Sequence, residues 1–402
     1  MIKNWVTFGM SEFVTPGFQD TSRLMTGAWS GAKIYVQPPK PFSAWKKLDG
    51  KVLQWEQRQI DGVTVLQPPL PVPSRMDPLR WSVKLHAATL NREMTGYLGG
   101  DWRDTSIVYV TNWTPYVQPM ISQLRPKYLV VDFVDDILKF PYKWDANRVS
   151  TQLAQLTAES CVVVAVSPAL QDQIQRDFQQ SCAVLPNAVN ETFFTAPRKV
   201  PEVVNSLGGR IRIGFAGTLN HWIDFQSIKN LANMYPDNAF VLMGKRGHIV
   251  SAEQQQAFEE LQEMKNVHFL GPVPYNELPA YLHNMDVLLL PRCPSESSEA
   301  SSPLKLYEYL AVGKPVVTSG FPIPAAIRQL VYHSPTEQGL VPSMKEAIQE
   351  LQSNRSRLKR EQRQAFAKQH TWEKRIQWIA QMVEESEALD PVQQRGANRQ
   401  SM

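Results

Sequence analysis

The sequence predicts an α/β protein built from two parallel sheets, each covered by helices on both faces. Two patterns predict it: short β-branched runs that end in glycine or proline, and helix-period segments between those runs. In the C-terminal half, Arg210 opens "RIRIGFAG", a strand closed by Gly214 and Gly217. "DFQSIKNLANMY" follows, with Phe225, Ile228, Leu231 and Ala232 at helical spacing behind Asp224, a suitable N-cap. The alternation continues through "AFVLMG", "VHFLG", the helical "NELPAYLHNM", "DVLLLP", "SSPLKLYEYLAVG" and "PVVTSG". The N-terminal half repeats the pattern less regularly. Strands are expected at "WVTFGM", "KIYVQP", "SIVYVTN", "YLVVDF", "CVVVAVS" and "AVLPN", and helices at "RVSTQLAQLTAES" and "PALQDQIQRDF".

A length of 402 residues suits two or three domains. The proline-rich, glycine-ending segment 195–209 reads as a linker between an N-terminal domain, residues 1–194, and a C-terminal domain, residues 210–370. "TWEKRIQWIAQMVEE" is a helix at about residues 371–386, and the polar, aperiodic stretch 387–402 is expected to be a disordered tail. "QPPLPVPSRMDP" reads as an irregular loop.

Composition narrows the function. The net charge is +4 and the basic residues are scattered, which argues against a nucleic-acid partner. Three widely spaced cysteines without a C-x-x-C pair, and histidines without an H-E-x-x-H pair, argue against a zinc site. No apolar run approaches membrane-spanning length and the start lacks a leader pattern, so a cytoplasmic protein is expected. Trp45 with Lys46 and Lys47 could touch the inner face of a membrane, although an ordinary solvated loop is the plainer reading.

The segment "SSPLKLYEYLAVG" poses a physical question. Ser302 suits an N-cap, Pro303 the first helical position and Gly313 the C-terminal stop, so Lys305 falls in the first turn, at the positive end of the helix dipole. A bound anion would explain it. The helix follows "DVLLLPR" and so begins beyond the carboxyl edge of a parallel sheet, where open α/β sheets bind ligands. Ser302, the amides of Leu304 and Lys305, and the Lys305 ammonium would hold a phosphate, while Glu308 one turn on could accept hydrogen bonds from ribose hydroxyls. A solvated Lys305–Glu308 salt bridge is the plainer alternative. Lys245 and Arg246 after "FVLMG", and Arg292 after "DVLLLP", would converge on the same edge as a pyrophosphate pocket. Gly217, followed by Thr218, would let backbone approach the ligand; no G-x-G-x-x-G or Walker lysine pattern accompanies it.

"GFAGTLNHWIDF", "VHFLGPVPYNELPAYLHNMDVLLLPR" and "SPLKLYEYLAVGKPVVTS" resemble the donor-binding half of GT-B glycosyltransferases, above all the bacterial family 4 enzymes that build cell-surface polysaccharides. The resemblance covers most of residues 210–320. It implies two Rossmann-like, doubly wound domains facing a cleft, a C-terminal helix returning to the N-terminal domain, and a retaining transfer. It also implies that Glu308 binds the donor ribose, that Lys305 and a basic residue near Lys245 hold the pyrophosphate, and that Gly217 lines the donor site. The family's paired-glutamate motif is incomplete, since its first position falls on Ala300 with Glu299 one residue off.

In the N-terminal half the resemblance is looser. "LPNAVNETFF" resembles the segment before the family's hinge, with Ala188 and Asn190 in place of glycine and aspartate, and Gln19 stands where relatives carry an acceptor-site glutamine. "VVDFVDDILKFP" places Asp132, Asp135 and Asp136 at a strand's carboxyl end. Asp135, with Asp132, is the candidate catalytic carboxylate, and Gln19 and Asp136 are candidate acceptor contacts; a metal site, or only a loop and helix-capping role, is the alternative for the three aspartates. No metal or other cofactor is expected, because the cationic residues can neutralise the departing diphosphate. The expected partners are a nucleotide-diphosphate sugar and a saccharide or lipid-linked acceptor. Two rival readings are a sugar-nucleotide epimerase on the same fold and a non-catalytic nucleotide-sugar-binding scaffold.

Overall fold

A computed structural model of the chain describes residues 1–9, 11–14, 20–39, 55–69, 81–111, 114, 116–139, 145–197, 199–334 and 339–397. The chain divides into two compact units. The first runs to Pro186 and resumes at Trp372; the second spans Asn187–Thr371.

The first unit holds β1 (Asn4–Phe8), β2 (Ala32–Val36), β3 (Glu56–Ile60), β4 (Val63–Gln67), β5 (Ser106–Val110), β6 (Tyr128–Phe133), β7 (Val162–Ala165) and β8 (Ala183–Val184). They form one sheet in the order β3-β4-β2-β1-β5-β6-β7-β8, parallel except for the β3–β4 pair. That pair is a hairpin absent from the sequence expectations. Asp61 and Gly62 turn it with φ of +50° and +75°, a left-handed pair that Asp-Gly favours between two strands. The long helix Trp81–Leu98 was likewise not foreseen.

The second unit holds β9 (Arg212–Ala216), β10 (Ala239–Met243), β11 (Val267–Gly271), β12 (Val287–Pro291), β13 (Val316–Ser319) and β14 (Tyr332–Ser334). Their order is β11-β10-β9-β12-β13-β14 and every pair is parallel. The helix Phe225–Met234 starts as its sequence indicates, with the Asp224 carboxylate accepting from the Ser227 amide at 3.0 Å. Its Phe225, Ile228, Leu231 and Ala232 are all buried in the core.

Three expected boundaries are corrected. The first unit ends at Pro186 rather than at residue 194, because Val189 and Phe193 are fully buried in the second unit's core. The 195–209 segment is not a free linker: it contains the helix Glu202–Asn205, and Val204 belongs to the same core. The final helix runs Trp372–Ala397, through much of the stretch read as a disordered tail.

Two buried ion pairs fasten these elements. In the first unit, Arg375 from the last helix is wholly buried against Asp132, with 2.6 Å between its Nη1 and Oδ2. Nη1 also reaches the Tyr109 hydroxyl at 3.2 Å, and Nε and Nη2 donate to the carbonyls of Pro186 and Leu185, each at 2.9 Å. The Tyr109 hydroxyl donates to the same Asp132 oxygen. Asp132 is therefore committed to a structural tie and is sealed from solvent, unlike the accessible carboxylate expected there. In the second unit, Arg363 donates to both oxygens of Glu350 at 2.6 Å, and both side chains are buried. Burial would raise the Glu350 pKa, but the hydrogen bonds and charge of Arg363, with help from Tyr332 and Lys359, outweigh it and leave the carboxyl below its ordinary value. No described helix is long and apolar enough to cross a membrane.

Asp132→Ala should cost about 3–5 kcal/mol, since it strands a buried guanidinium; an unchanged melting temperature would refute the tie. For Glu350, a folded pKa below the unfolded value contributes stability that is complete above the unfolded value and is lost as pH falls through the folded one. Melting scans should therefore show an acid loss below about pH 4.3, the ordinary glutamate value, that Glu350→Gln diminishes while lowering stability at neutral pH.

Candidate functional site

The second sheet reverses its order between β9 and β12, and the carboxyl ends of these strands form the edge at which open α/β sheets take ligands. Backbone pairing extends past the strands there. The Leu219 amide donates to Lys245 O at 2.9 Å, Gly247 N to Leu219 O at 2.7 Å and His221 N to His248 O at 3.0 Å. On the other side Cys293 N donates to Trp222 O at 2.9 Å, and Ile223 bridges Arg292. The loop after β9 is thus wedged between the loops after β10 and β12.

Gly217 opens that loop at φ +149°, and a Cβ there would stand 2.0 Å from Lys305 Cε and 2.7 Å from its Nζ. The lysine side chain lies directly on the glycine; a Cβ there would push the flexible lysine end aside, and the positive φ itself favours glycine. The two residues that the sequence assigned to an anion site are in contact.

Lys305 sits on the helix Leu304–Val312, whose N-cap is Pro303 without a side-chain hydrogen bond. This corrects Ser302 as the capping residue: its carbonyl accepts from Asn187 Nδ2 at 2.7 Å and its hydroxyl is 3.2 Å from the Tyr307 hydroxyl. No side chain serves the first amides of the helix, which leaves that end suited to an anion. The C-terminal stop is as the sequence indicates, with Gly313 left-handed at φ +83°.

The plainer alternative, a solvated Lys305–Glu308 bridge, does not describe the pair. Lys305 is half-buried and Glu308 is only 3% exposed, with Oε1 buried and lacking a hydrogen-bond partner. Desolvation lowers the Lys305 pKa, opposed by the Glu308 charge and reinforced by Arg292. Desolvation raises that of Glu308, opposed by Lys305 and Tyr275. Two further polar atoms at this carboxyl edge, Asn220 Oδ1 after β9 and Ser319 Oγ at the end of β13, are also buried without partners, and such a set calls for a polar ligand. Neither is visible in the sequence, because short polar residues at strand ends and in loops carry no periodic signal.

Lys245 and Arg246 are exposed just after β10, with the Arg246 guanidinium 4.9 Å from the centre of the Phe258 ring. Arg292 donates to Ser301 Oγ at 2.9 Å. Thr218 and Leu304 are half-buried beside Gly217 and Lys305 respectively. Ala300 is buried and Glu299 exposed.

In the first unit the three aspartates do not act as one cluster. Asp132 belongs to Arg375, and Asp136 is buried against Lys139 at 3.3 Å and Gln173 Nε2 at 3.1 Å. Asp135 is half-buried just past β6. Gln19, Trp45, Lys46 and Lys47 lie outside the described residues. Among the described residues no group of three or more His, Cys, Asp or Glu side chains is placed to hold a metal ion.

Residues 210–354 match the family model described as Glycosyl transferases group 1. A protein of Bacillus subtilis (strain 168) named as a teichuronic acid biosynthesis glycosyltransferase, TuaH, is 35% identical over 138 residues, 34% of each chain, so the match spans about a third of that relative's length. Among solved structures, a sucrose-phosphate synthase from Thermosynechococcus elongatus superposes with a TM-score of 0.66 at 13% identity, covering 96% of this chain and 99% of that one. Anabaena HepE in complex with UDP-glucose gives 0.62 at 16% identity, covering 95% and 99%. The catalytic domain of starch synthase IV from Arabidopsis thaliana, bound to ADP and acarbose, gives 0.64 at 11% identity, covering 96% and 99%. The chain therefore has the GT-B fold, and its second unit carries the glycosyl transferases group 1 pattern across residues 210–354.

Proposed function

We propose that the chain is a glycosyltransferase that moves a sugar from a nucleotide-diphosphate sugar to a saccharide or lipid-linked acceptor in surface polysaccharide synthesis. The observation that carries this is the Lys305 side chain lying on Gly217 at an uncapped helix start, with the buried Glu308 carboxylate one turn away. The match to the group 1 model over this segment and the TuaH likeness support it.

In this reading the diphosphate occupies the helix end. Lys305 and the first amides stabilise the charge that develops on the leaving diphosphate, in a partly desolvated place where such stabilisation counts most. Lys245, Arg246 and Arg292 supply further positive potential. Glu308 accepts hydrogen bonds from the ribose. The donor is a hexosyl nucleotide, as the UDP-glucose of the similar HepE structure is, and transfer retains anomeric configuration as in family 4. Asp135 is the carboxylate assigned to the acceptor side; no metal is required, and the protein works in the cytoplasm, at or near the inner membrane face.

Calorimetric titration of UDP, GDP and ADP, without added metal, tests the site. One nucleotide should bind the wild type, and Lys305→Ala should weaken it roughly 10- to 100-fold through loss of a charge-assisted contact. Equal binding by Lys305→Ala and Glu308→Ala would remove the site assignment. NMR analysis of the glycoside formed with an accepted substrate should show retention; inversion would sink the family 4 mechanism.

Binding should also depend on pH in a defined sense. The Glu308 carboxyl is raised above 4.5, so its charged form is lost on acidification earlier than for an ordinary glutamate. The Lys305 ammonium is lowered below 10.5, so it is lost earlier as pH rises. Affinity should peak between these limits, and Lys305→Arg should move the alkaline limb upward.

A further inference from the structure

The β3–β4 hairpin builds a cavity outside the candidate site. Its register sets Glu56, Arg58 and Ile60 opposite Gln67, Val65 and Val63, so these side chains share one face of the first sheet, and Tyr35 of β2 joins them beside Val65. Residues 12–14 run across that face. The Phe13 ring lies edge-on to Tyr35 at 4.9 Å, its amide donates to Gln37 Oε1 at 2.7 Å, and its carbonyl accepts from the buried Arg23 guanidinium at 2.8 Å. Gln37 Nε2 in turn donates to Gln67 Oε1 at 2.7 Å, and Gln67 Nε2 to Pro38 O at 3.2 Å. These bonds fix a cavity of about 220 Å³ with Ile60 and Val65 at its floor and Glu12, Gln37, Glu56, Arg58 and Gln67 around it.

Size and chemistry narrow what it takes. The volume lies below the roughly 300–1,000 Å³ of sites for drug-sized ligands, so it is too small for a nucleotide or an oligosaccharide and has room for one ring. The lining is rich in acceptors: each glutamine Oε1 accepts one bond and has a second lone pair, and the carboxylates of Glu12 and Glu56 only accept. Arg58 supplies the donors, one of which goes to Glu56 at 3.3 Å. An occupant must therefore donate and accept around its rim while resting an apolar side on Ile60 and Val65. A sugar ring has that combination, with hydroxyls at its edge and C–H groups on its faces. Charge decides further. Two carboxylates stand against one guanidinium that already pairs with Glu56, so the lining is net negative and disfavours a uronate.

We propose that this cavity is a subsite for one neutral sugar residue of the acceptor, with ring hydroxyls bonded to Glu12, Glu56 and Arg58 and a C–H face on Ile60 and Val65. Its place in the acceptor rests on the glycosyltransferase reading; the fit to a sugar ring does not. In the sheet order, three strand spacings separate β2 from β6 and four separate β4 from β6, and Asp135 follows β6. The cavity is therefore roughly 14–19 Å along the sheet from that carboxylate. The residue it holds is not the one that attacks the donor but one further along the acceptor chain. Acceptors are thus sorted by a sugar that undergoes no reaction.

NMR titration with methyl β-glucopyranoside, methyl N-acetyl-β-glucosaminide and methyl β-glucopyranosiduronate, against wild type, Glu56→Ala and Arg58→Ala, tests the assignment. Both residues are exposed, and circular dichroism checks that the variants fold. At least one neutral glycoside should bind wild type with a dissociation constant on the order of millimolar, as a single small ring allows, and the glucuronide should bind more weakly. Each variant should weaken the neutral glycoside roughly 3- to 10-fold, matching the loss of one hydrogen bond, and Glu56→Ala should narrow its margin over the glucuronide. The inference is overturned if no neutral glycoside binds, if both variants bind it within twofold of wild type, or if wild type prefers the glucuronide. Titration with UDP, GDP and ADP reads the glycosyltransferase site separately. Nucleotide binding without glycoside binding removes the sugar subsite alone. Glycoside binding that depends on Glu56 and Arg58, with no nucleotide bound, removes the glycosyltransferase reading and with it the acceptor role.

Discussion

The path of the chain depends on the buried guanidinium of Arg375. It comes from the helix that completes the first unit, and its partners are Asp132 at the end of β6 and the carbonyls of Leu185 and Pro186, where the chain leaves that unit. One side chain thus ties the point of departure to the point of return. A buried arginine is tolerated only when its charge and most of its donors are met, and here a carboxylate, a phenol and two carbonyls share that work. The pairing also explains why an aspartate at a strand end, a place where chemistry is common, is structural in this molecule.

The second unit's edge is organised by the opposite condition. Where Arg375 and Arg363 each pair with a carboxylate and with backbone carbonyls, Lys305 and Glu308 are desolvated and Glu308 Oε1 is left without a partner. Their ionisation is biased toward neutrality by burial and toward charge by one another, and a ligand with a diphosphate at one end and hydroxyls at the other would relieve both. The absence of a Cβ at Gly217 is what allows the lysine to lie across the carboxyl edge of β9 instead of projecting into solvent.

Much of this was legible in the sequence, for identifiable reasons. The parallel strands of the second unit are continuous apolar runs, and the helix Leu304–Val312 stands out through an otherwise unfavourable lysine in its first turn. What was not legible depended on tertiary partners. Nothing local distinguishes Asp132 from an accessible carboxylate, since its arginine lies 243 residues away. Ser302 has the composition of a cap, yet its hydroxyl faces Tyr307, so Pro303 takes the position without capping it. The β3–β4 hairpin is a different case: its Asp-Gly turn was present in the sequence, but the polar "EQRQI" strand lacks the apolar alternation that would have drawn attention to it.

The discontinuity at Pro186 and Trp372 bears on how the protein is made. Synthesis proceeds from the N-terminus, and the helix carrying Arg375 is the last described element to be synthesised. The second unit, continuous from Asn187 to Thr371, has all its strands before that helix exists. On the ribosome the later-encoded unit is therefore complete before the earlier one, whose Asp132 lacks its arginine until the last helix is made.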